Sequence, residues 1–380
     1  MRYTVDERHE RILELVRACG SLRVTELAER LGVSTVTARR DVETLASRGR
    51  VHRVRGAVSW PGAPAEPAAA VPQQSAVPGP ASARRVSTGL LLGMVVPQTH
   101  YFAEIVRGAQ ETAAEVGARL VLAFSGYRRD LDVAETERMR KLGANGLLLT
   151  PSWDAPGSTL DTAELGGDVP AVLVERRGQA GTEAAELDRV CSDHESGAGL
   201  AVRHLFGLGH TAIALVTGVS PTAARLATGY RAALGSLGIT EPPTELTELY
   251  AGHLDHQQLD TAADHLADAV SRGLVTAALV LSDFDAMVLL QMLRNKGVRV
   301  PEDLALVAYG DDVGALSDLP LTAVAPPKYE VGQVAVQLLL SRVRERAGGA
   351  HAGHLAASRR HVDLVPRLHV RASCGAAGNS

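Results

Sequence analysis

Apolar residues recur every three or four positions through the first fifty residues, and the rhythm then changes twice. Ile12, Leu15, Val16 and Cys19 predict one short helix, and Val24, Leu27, Ala28 and Leu31 a second, with Gly20 and Gly32 placed as stops. Gly32-Val33-Ser34 supplies a tight turn and an N-cap serine. Ala38, Val42 and Leu45 then share one face of a third helix. The stretch RGRVHRVRGAV (48–58) sets valines among basic residues and glycines, which predicts a two-stranded hairpin or wing. Residues 60–83 hold six prolines and one charge with no apolar periodicity, the signature of a linker.

From residue 88 the pattern alternates between continuous apolar runs and helical repeats. Strands are predicted at 89–96, 119–124, 146–150, 171–174, 212–216, 277–281 and 304–309, separated by stretches such as FAEIVRGAQETAAEVG and AMVLLQMLRNKG. This is an α/β pattern in which parallel sheets are covered on both faces. The segment is too long for one core, so two lobes are expected. Ligands of such sheets bind beyond the carboxyl ends of the strands, which between two lobes means a cleft.

Charge adds a division of labour. The 380-residue chain has a net charge of −4, yet residues 1–60 carry twelve Arg, no Lys and eight acidic residues. That head is about +4, which leaves about −8 for the rest, so only the head is suited to a polyanion. Cys19, Cys191 and Cys374 lie far apart, outside any spacing for a disulfide framework or a thiolate zinc site. The charged N-terminus has no apolar signal-peptide core, and no apolar run is long enough to span a bilayer. A cytoplasmic protein without membrane contact is expected. His253-x-x-His256 and His351-x-x-His354 read as surface histidines, and neither a metal nor a cofactor is expected.

With Ala38, Val42 and Leu45 turned inward, Val36, Thr37 and Arg40 face outward and Arg39 lies on the flank. Two helices, a tight turn and a third helix with a basic, hydroxyl-bearing face make a helix-turn-helix. Arginine can bind guanine O6 and N7 bidentately, while hydroxyls and helix N-termini hold phosphates. The DNA-binding candidates are Ser34, Thr35, Val36, Thr37, Arg39 and Arg40, with Arg50, Arg53 and Arg55 on the wing. A solvated surface helix, with Arg39 paired to Glu43 and Asp41 to a neighbouring arginine, is the competing reading.

The string TELAERLGVSTVTARRDVETLASRGRVHRVRGA resembles the winged helix-turn-helix of the DeoR family of bacterial transcription regulators, over about residues 6–58. The chain departs from that pattern at Arg55-Gly56-Ala57, where the family carries paired glycines before the alanine. The body does not follow the DeoR sensor pattern. It resembles instead the effector-binding core of LacI-type regulators, a two-lobed, periplasmic-binding-protein-like sensor. The segments LLGMVVPQTHYFAEIVRGAQETAAEVG, GANGLLLTPS, SDHESGAGLAVRHLFGLGHTAIALVTG, GVRVPEDLALVAYGDD and LPLTAVAPPKYEVGQVAVQLLL carry that likeness in family order.

The resemblance implies an organisation of 1–59 as DNA-binding domain, 60–86 as Pro/Ala-rich linker, 87–371 as effector-binding domain and 372–380 as flexible tail. It also implies effector contacts at Gln98, Tyr101, Phe102, Tyr127, Arg128, Glu175, Asp193, Arg225, Asp283 and Asp311. Two positions depart from the family: Arg225 precedes Gly229-Tyr230 by four residues instead of three, and Gly310 stands where an aspartate is usual. The implied partners are double-stranded operator DNA, a small-molecule effector such as a sugar, and a second copy of the chain. The implied function is a sequence-specific transcriptional repressor whose operator binding answers to that effector. An α/β enzyme acting on sugars with an accessory winged helix is the alternative, and the chain shows no motif for a catalytic base and nucleophile.

Overall fold

A computed structural model describes the chain at 88–97, 100–152, 167–178, 180–239, 250–251, 256–347 and 358–376, and at scattered positions of the first 59 residues. The expected linker, 60–86, lies outside the described residues. The chain divides into two units, Met1–Ala81 and Ser82–Ser380.

In the first unit, Ile12 and Val16 are buried with Leu27, Ala28 and Leu31, as their spacing predicts. They pack with Ala38, Val42 and Leu45 of α1 (Thr35–Ser47). Val51 completes this small core. The wing has three strands, one more than expected: β1 (Ser21–Arg23), β2 (His52–Val54) and β3 (Ala57–Ser59), in the order β1-β3-β2. β1 pairs antiparallel with β3 through Leu22 opposite Val58. Three residues are too short to announce a strand by alternation, which is why the sequence pattern misses it.

The second unit contains two sheets. The first has the order β15-β8-β7-β6-β4-β5, formed by β4 (Leu91–Val96), β5 (Arg119–Phe124), β6 (Gly146–Leu149), β7 (Ala171–Val174), β8 (Asp188–Ser192) and β15 (His361–Leu364). Every pairing in it is parallel. Helices α2 (Ala103–Glu115) and α8 (Lys328–Ala347) cover one face through Ile105, Ala109, Val336 and Leu339; α3 (Arg129–Lys141) covers the other through Met139. The second sheet has the order β16-β14-β13-β12-β9, from β9 (Ile213–Val216), β12 (Ala277–Leu281), β13 (Ala305–Tyr309), β14 (Thr322–Ala325) and β16 (Arg367–His369). It is parallel except where β14 meets β16. One face carries α4 (His194–Gly207) and α5 (Pro221–Leu237); the other carries α6 (His256–Ser271) and α7 (Asp283–Asn295). A two-residue strand β10 (Gly218–Val219) pairs in parallel with β11 (Tyr250–Ala251) beyond β9.

The seven runs read as strands are β4, β5, β6, β7, β9, β12 and β13, each within two residues of its expected ends. Near-complete burial of all but the edge strand β5 explains the unbroken apolar runs. The expected tail needs correction over 372–376. Ala372–Cys374 form a 3-10 helix, and Ser373 Oγ donates to the Leu306 carbonyl at 2.6 Å while accepting from Thr322 N at 2.8 Å. Ser373 is fully buried, and these two bonds satisfy its hydroxyl there.

Two helix crossings depend on three glycines. A Cβ on Gly108 would lie 2.1 Å from the Tyr329 carbonyl oxygen, and one on Gly332 2.0 Å from that of Ile105. These bring α2 and α8 into backbone contact. One on Gly229 would lie 2.1 Å from the Glu195 carbonyl oxygen, which sets the approach of α5 to α4. Tyr230, beside it, is fully buried and donates to the Ile213 carbonyl at 2.7 Å.

Candidate functional site

On α1 the burial of Ala38, Val42 and Leu45 leaves Arg40 exposed and Thr37 half-buried. Asp41, adjacent to Arg40, is buried instead. It accepts from Arg8 Nε at 2.8 Å and from the second guanidinium nitrogen at 3.3 Å, and His9 Nε2 lies 3.4 Å away. The Asp41 partner is thus an arginine 33 residues upstream rather than a sequence neighbour. This tie joins the start of the chain to α1 and fixes the helix rotation that points Arg40 outward. The bond to Asp41 also raises the Arg8 guanidinium above its ordinary range. Ser34, Arg50 and Arg55 lie outside the described residues, as do the side chains of Thr35, Val36, Arg39 and Arg53.

In the second unit, the carboxyl ends of the two sheets meet in a buried polar cluster. Glu175, just past β7, is buried at 8 % exposure. Its carboxylate accepts from Ser192 N at 3.2 Å, Ser192 Oγ at 2.7 Å and the Tyr101 hydroxyl at 3.1 Å. His194 Nε2 lies 3.4 Å from its other oxygen, and His194 Nδ1 is 2.7 Å from the Tyr309 hydroxyl at the end of β13. Burial opposes ionisation of Glu175, but the contacts with His194 and Ser192 outweigh it, so its carboxyl sits below the usual range. Burial, with the Glu175 charge nearby, pushes the Tyr101 and Tyr309 phenols well above theirs. On the other side, Lys328 Nζ is 4.5 Å from the centre of the Tyr101 ring and 2.5 Å from Asp312 Oδ2.

The remaining predicted effector residues divide by their partners. Asp283 is buried, and its Oδ2 accepts from the backbone N–H groups of Asp312, Val313 and Gly314 at 2.7, 2.7 and 3.2 Å. Asp311 binds Arg371 through both oxygens, at 2.6 and 2.8 Å, and His369 at 2.6 Å. Burial works against its charge, and these two partners more than offset that, holding its carboxyl below the usual range. Gly310 has φ +106°, and a Cβ there would lie 3.0 Å from Asp283 Oδ1, so an aspartate does not fit this backbone. Asp193 caps α4, accepting from Ser196 N at 3.0 Å and Ser196 Oγ at 2.6 Å. Arg225 pairs with Glu195 at 2.8 Å, and exposed Arg128 with Asp130 at 2.5 Å. Phe102 is buried in the core of the first lobe. Gln98 lies outside the described residues.

Tyr127 and Glu175 share a further property. Among the described residues they are the two non-glycines with positive φ, at 61° and 54°. Such backbone costs about 1–2 kcal/mol per residue and gathers at functional positions. Glu175 directly follows β7 and Tyr127 lies in the loop just after β5, at strand carboxyl ends where a ligand of this fold binds. Sequence reasoning missed Ser192, His194, Tyr309, Lys328 and Asp312. Their signals were present in the S-D-H that ends β8 and opens α4, the tyrosine that closes LVAY, and the lone lysine of APPKYE. Of the four paired histidines, only His256 is described; it is exposed at the start of α6.

Known families account for both units. A DeoR-like helix-turn-helix domain matches residues 8–61, and a periplasmic binding protein-like domain matches residues 202–374. The chain joins a DeoR-like helix-turn-helix domain to a periplasmic binding protein-like body. The body is similar to the HTH-type transcriptional repressor PurR of Vibrio atlanticus (strain LGP32), with 27 % identity over 269 residues, 69 % of this chain and 77 % of that one. The transcriptional regulator CelR–cellobiose complex superposes with a TM-score of 0.61 at 23 % identity, covering 90 % of this chain and 91 % of that one. The lac repressor dimer bound to operator and the anti-inducer ONPF gives 0.59 at 22 %, covering 76 % and 95 %. At these identities the two structures establish the fold, and they place the LacI-like body among two-lobed α/β proteins.

Proposed function

We propose that the protein is a sequence-specific DNA-binding transcriptional repressor controlled by a small polar effector at the carboxyl ends of its two sheets. The observation that carries the reading is α1: one face is buried, Asp41 is tied to Arg8, and Arg40 is left exposed in a domain that matches a DNA-binding family. In this reading Arg40 reads a base edge, and the wing arginines hold phosphates. The protein acts as a homodimer, because one recognition helix covers too few base pairs for genomic specificity. It works in the cytoplasm, and no catalytic step is part of this function. Among the described residues no helix is long and apolar enough to cross a membrane.

The strained positions at Tyr127 and Glu175 support an effector site at the strand ends. A sugar is the effector class, supported by the likeness to a cellobiose-bound regulator. Effector binding changes the relation of the two lobes, and through the dimer the spacing of the two heads.

Enrichment of random duplex DNA by the full chain, sequenced after several rounds, tests the DNA-binding half. A defined motif with a repeated half-site is expected, and recovery of unselected sequence at every salt concentration would sink the reading. Thermal-shift screening against monosaccharides, disaccharides and nucleosides tests the effector half. A stabilising compound that also changes operator affinity is expected, whereas one that stabilises without changing operator affinity would rule out the coupling.

A further inference from the structure

The chain passes between the two lobes three times: from β8 into α4 at 192–194, from β14 into α8 at 325–328, and from β15 into β16 at 364–367. A polar side chain sits at each of the first two passages, and both are buried. His194 opens α4 and reaches back to Glu175 of the first lobe while its other ring nitrogen meets Tyr309 of the second. Lys328 opens α8, which packs on the first lobe, and binds Asp312 on the loop after β13 of the second. The third passage is fastened to the first by the main chain, with Asp193 N donating to the Leu364 carbonyl at 2.8 Å.

These ties are not independent. Tyr101 touches both, its hydroxyl donating to Glu175 and its ring facing the Lys328 ammonium. Asp283 then holds the Asp312 backbone in place. Lys328 is 5 % exposed, so losing Asp312 would leave a buried cation without its partner, a larger penalty than a surface pair carries.

We propose that the Tyr309–His194–Glu175 and Lys328–Asp312 ties form a built-in lock that sets the angle between the lobes in the ligand-free protein. The lock is a property of the body alone and does not depend on the DNA or effector assignments. It makes the resting lobe angle a property of side chains at the passages. A ligand that alters the angle therefore has to displace these contacts.

Spin labels at Asp130→Cys and Leu316→Cys, one on each lobe and both exposed, report the angle by pulsed dipolar spectroscopy. Cys19→Ser removes the native cysteine outside the described residues, and Cys191 and Cys374 are buried. The full chain, with no DNA and no added ligand, is expected to give one narrow distance peak. Tyr309→Phe removes only a hydroxyl, and Lys328→Met keeps the chain length while removing the charge. Each is expected to broaden the peak or move it, and backbone amides near 194 and 328 are expected to exchange about tenfold faster. Lys296→Met is the control, because Lys296 pairs with Asp260 and Asp264 inside one lobe. An unchanged peak in both variants, with or without a lower melting temperature, would overturn the lock, and so would equal broadening by Lys296→Met.

Discussion

Arg8 donates to Asp41 across 33 residues, at 2.8 Å, and so joins the beginning of the chain to the centre of α1. Asp41 sits in the helix proposed to face DNA, yet its carboxylate is buried against Arg8. Its neighbour Arg40 is exposed, so adjacent residues of one motif carry different duties.

Asp41→Ala should therefore destabilise the first unit by about 1–3 kcal/mol, because it removes the buried carboxylate to which Arg8 donates. Arg40→Ala should leave stability within about 0.5 kcal/mol and weaken operator binding by about 1–3 kcal/mol. Calorimetry and operator titration on the same full-length variants separate the two effects. Equal melting losses in both variants would show that Arg40 is structural as well.

Glycine at the helix crossings gives a stability contrast. Gly229→Ala and Gly108→Ala would each place a Cβ about 2.1 Å from a backbone oxygen, which has no flexible end to move aside. Each should cost about 1–3 kcal/mol or more through forced separation of the helices. Gly235→Ala lies on the same helix as Gly229 but meets nothing within 4 Å. It should instead stabilise by about 0.4–1 kcal/mol by reducing the freedom of the unfolded chain. Denaturant midpoints of the three variants check the sign of each.

Asp283 satisfies three backbone donors with one oxygen. Asp283→Ala should lower the melting temperature of the ligand-free protein, at about 1–3 kcal/mol for each donor that water does not reach. Asp283→Asn, which keeps one acceptor oxygen and loses the charge, should fall between the parent and the alanine variant. If alanine left the melting temperature unchanged but abolished effector binding, Asp283 would be a ligand contact rather than a loop anchor.

Asp311 supplies a pH dependence of fixed sign. Its folded carboxyl is held below the ordinary value of 3.8, so its stabilising contribution is present above that value and is lost as pH falls through the lower folded one. Acid unfolding of the parent should therefore steepen below about pH 4, and Asp311→Asn should flatten that limb while lowering stability at neutral pH. Identical slopes in both proteins would mean that the Arg371 and His369 partnership does not persist in solution.

Much of the architecture was legible because buried parallel strands leave unbroken apolar runs and covering helices leave periodic ones. Leu22 and its neighbours were not, because a three-residue strand has no room for a pattern. The site was legible in position more than in role. Glu175 and Tyr101 were implied by the LacI-type resemblance, and the structure places them within hydrogen-bond distance of each other. Asp193, Asp283 and Asp311 were named on the same grounds and hold a cap, a loop and an arginine. A carboxylate in a strand-end loop looks the same in sequence whether it faces a ligand or a backbone amide. His194, Tyr309 and Lys328 escaped notice because their partners lie 16 to 115 residues away or on the opposite lobe. The displaced Arg225 became intelligible only through Glu195, its partner on the adjoining helix.

The order of strands in the first sheet has a consequence for biosynthesis. Its strands β4 to β8 are made early, but β15 and the covering helix α8 come after nearly all of the second sheet. As the chain leaves the ribosome, the lobe begun first waits with one sheet edge open and the α2 face bare until residues 328–364 emerge. The DeoR-like domain, by contrast, has its core, among the described residues, within residues 12–51, all made before the body begins. The proposed DNA reader is thus synthesised well before the body proposed to govern it is complete.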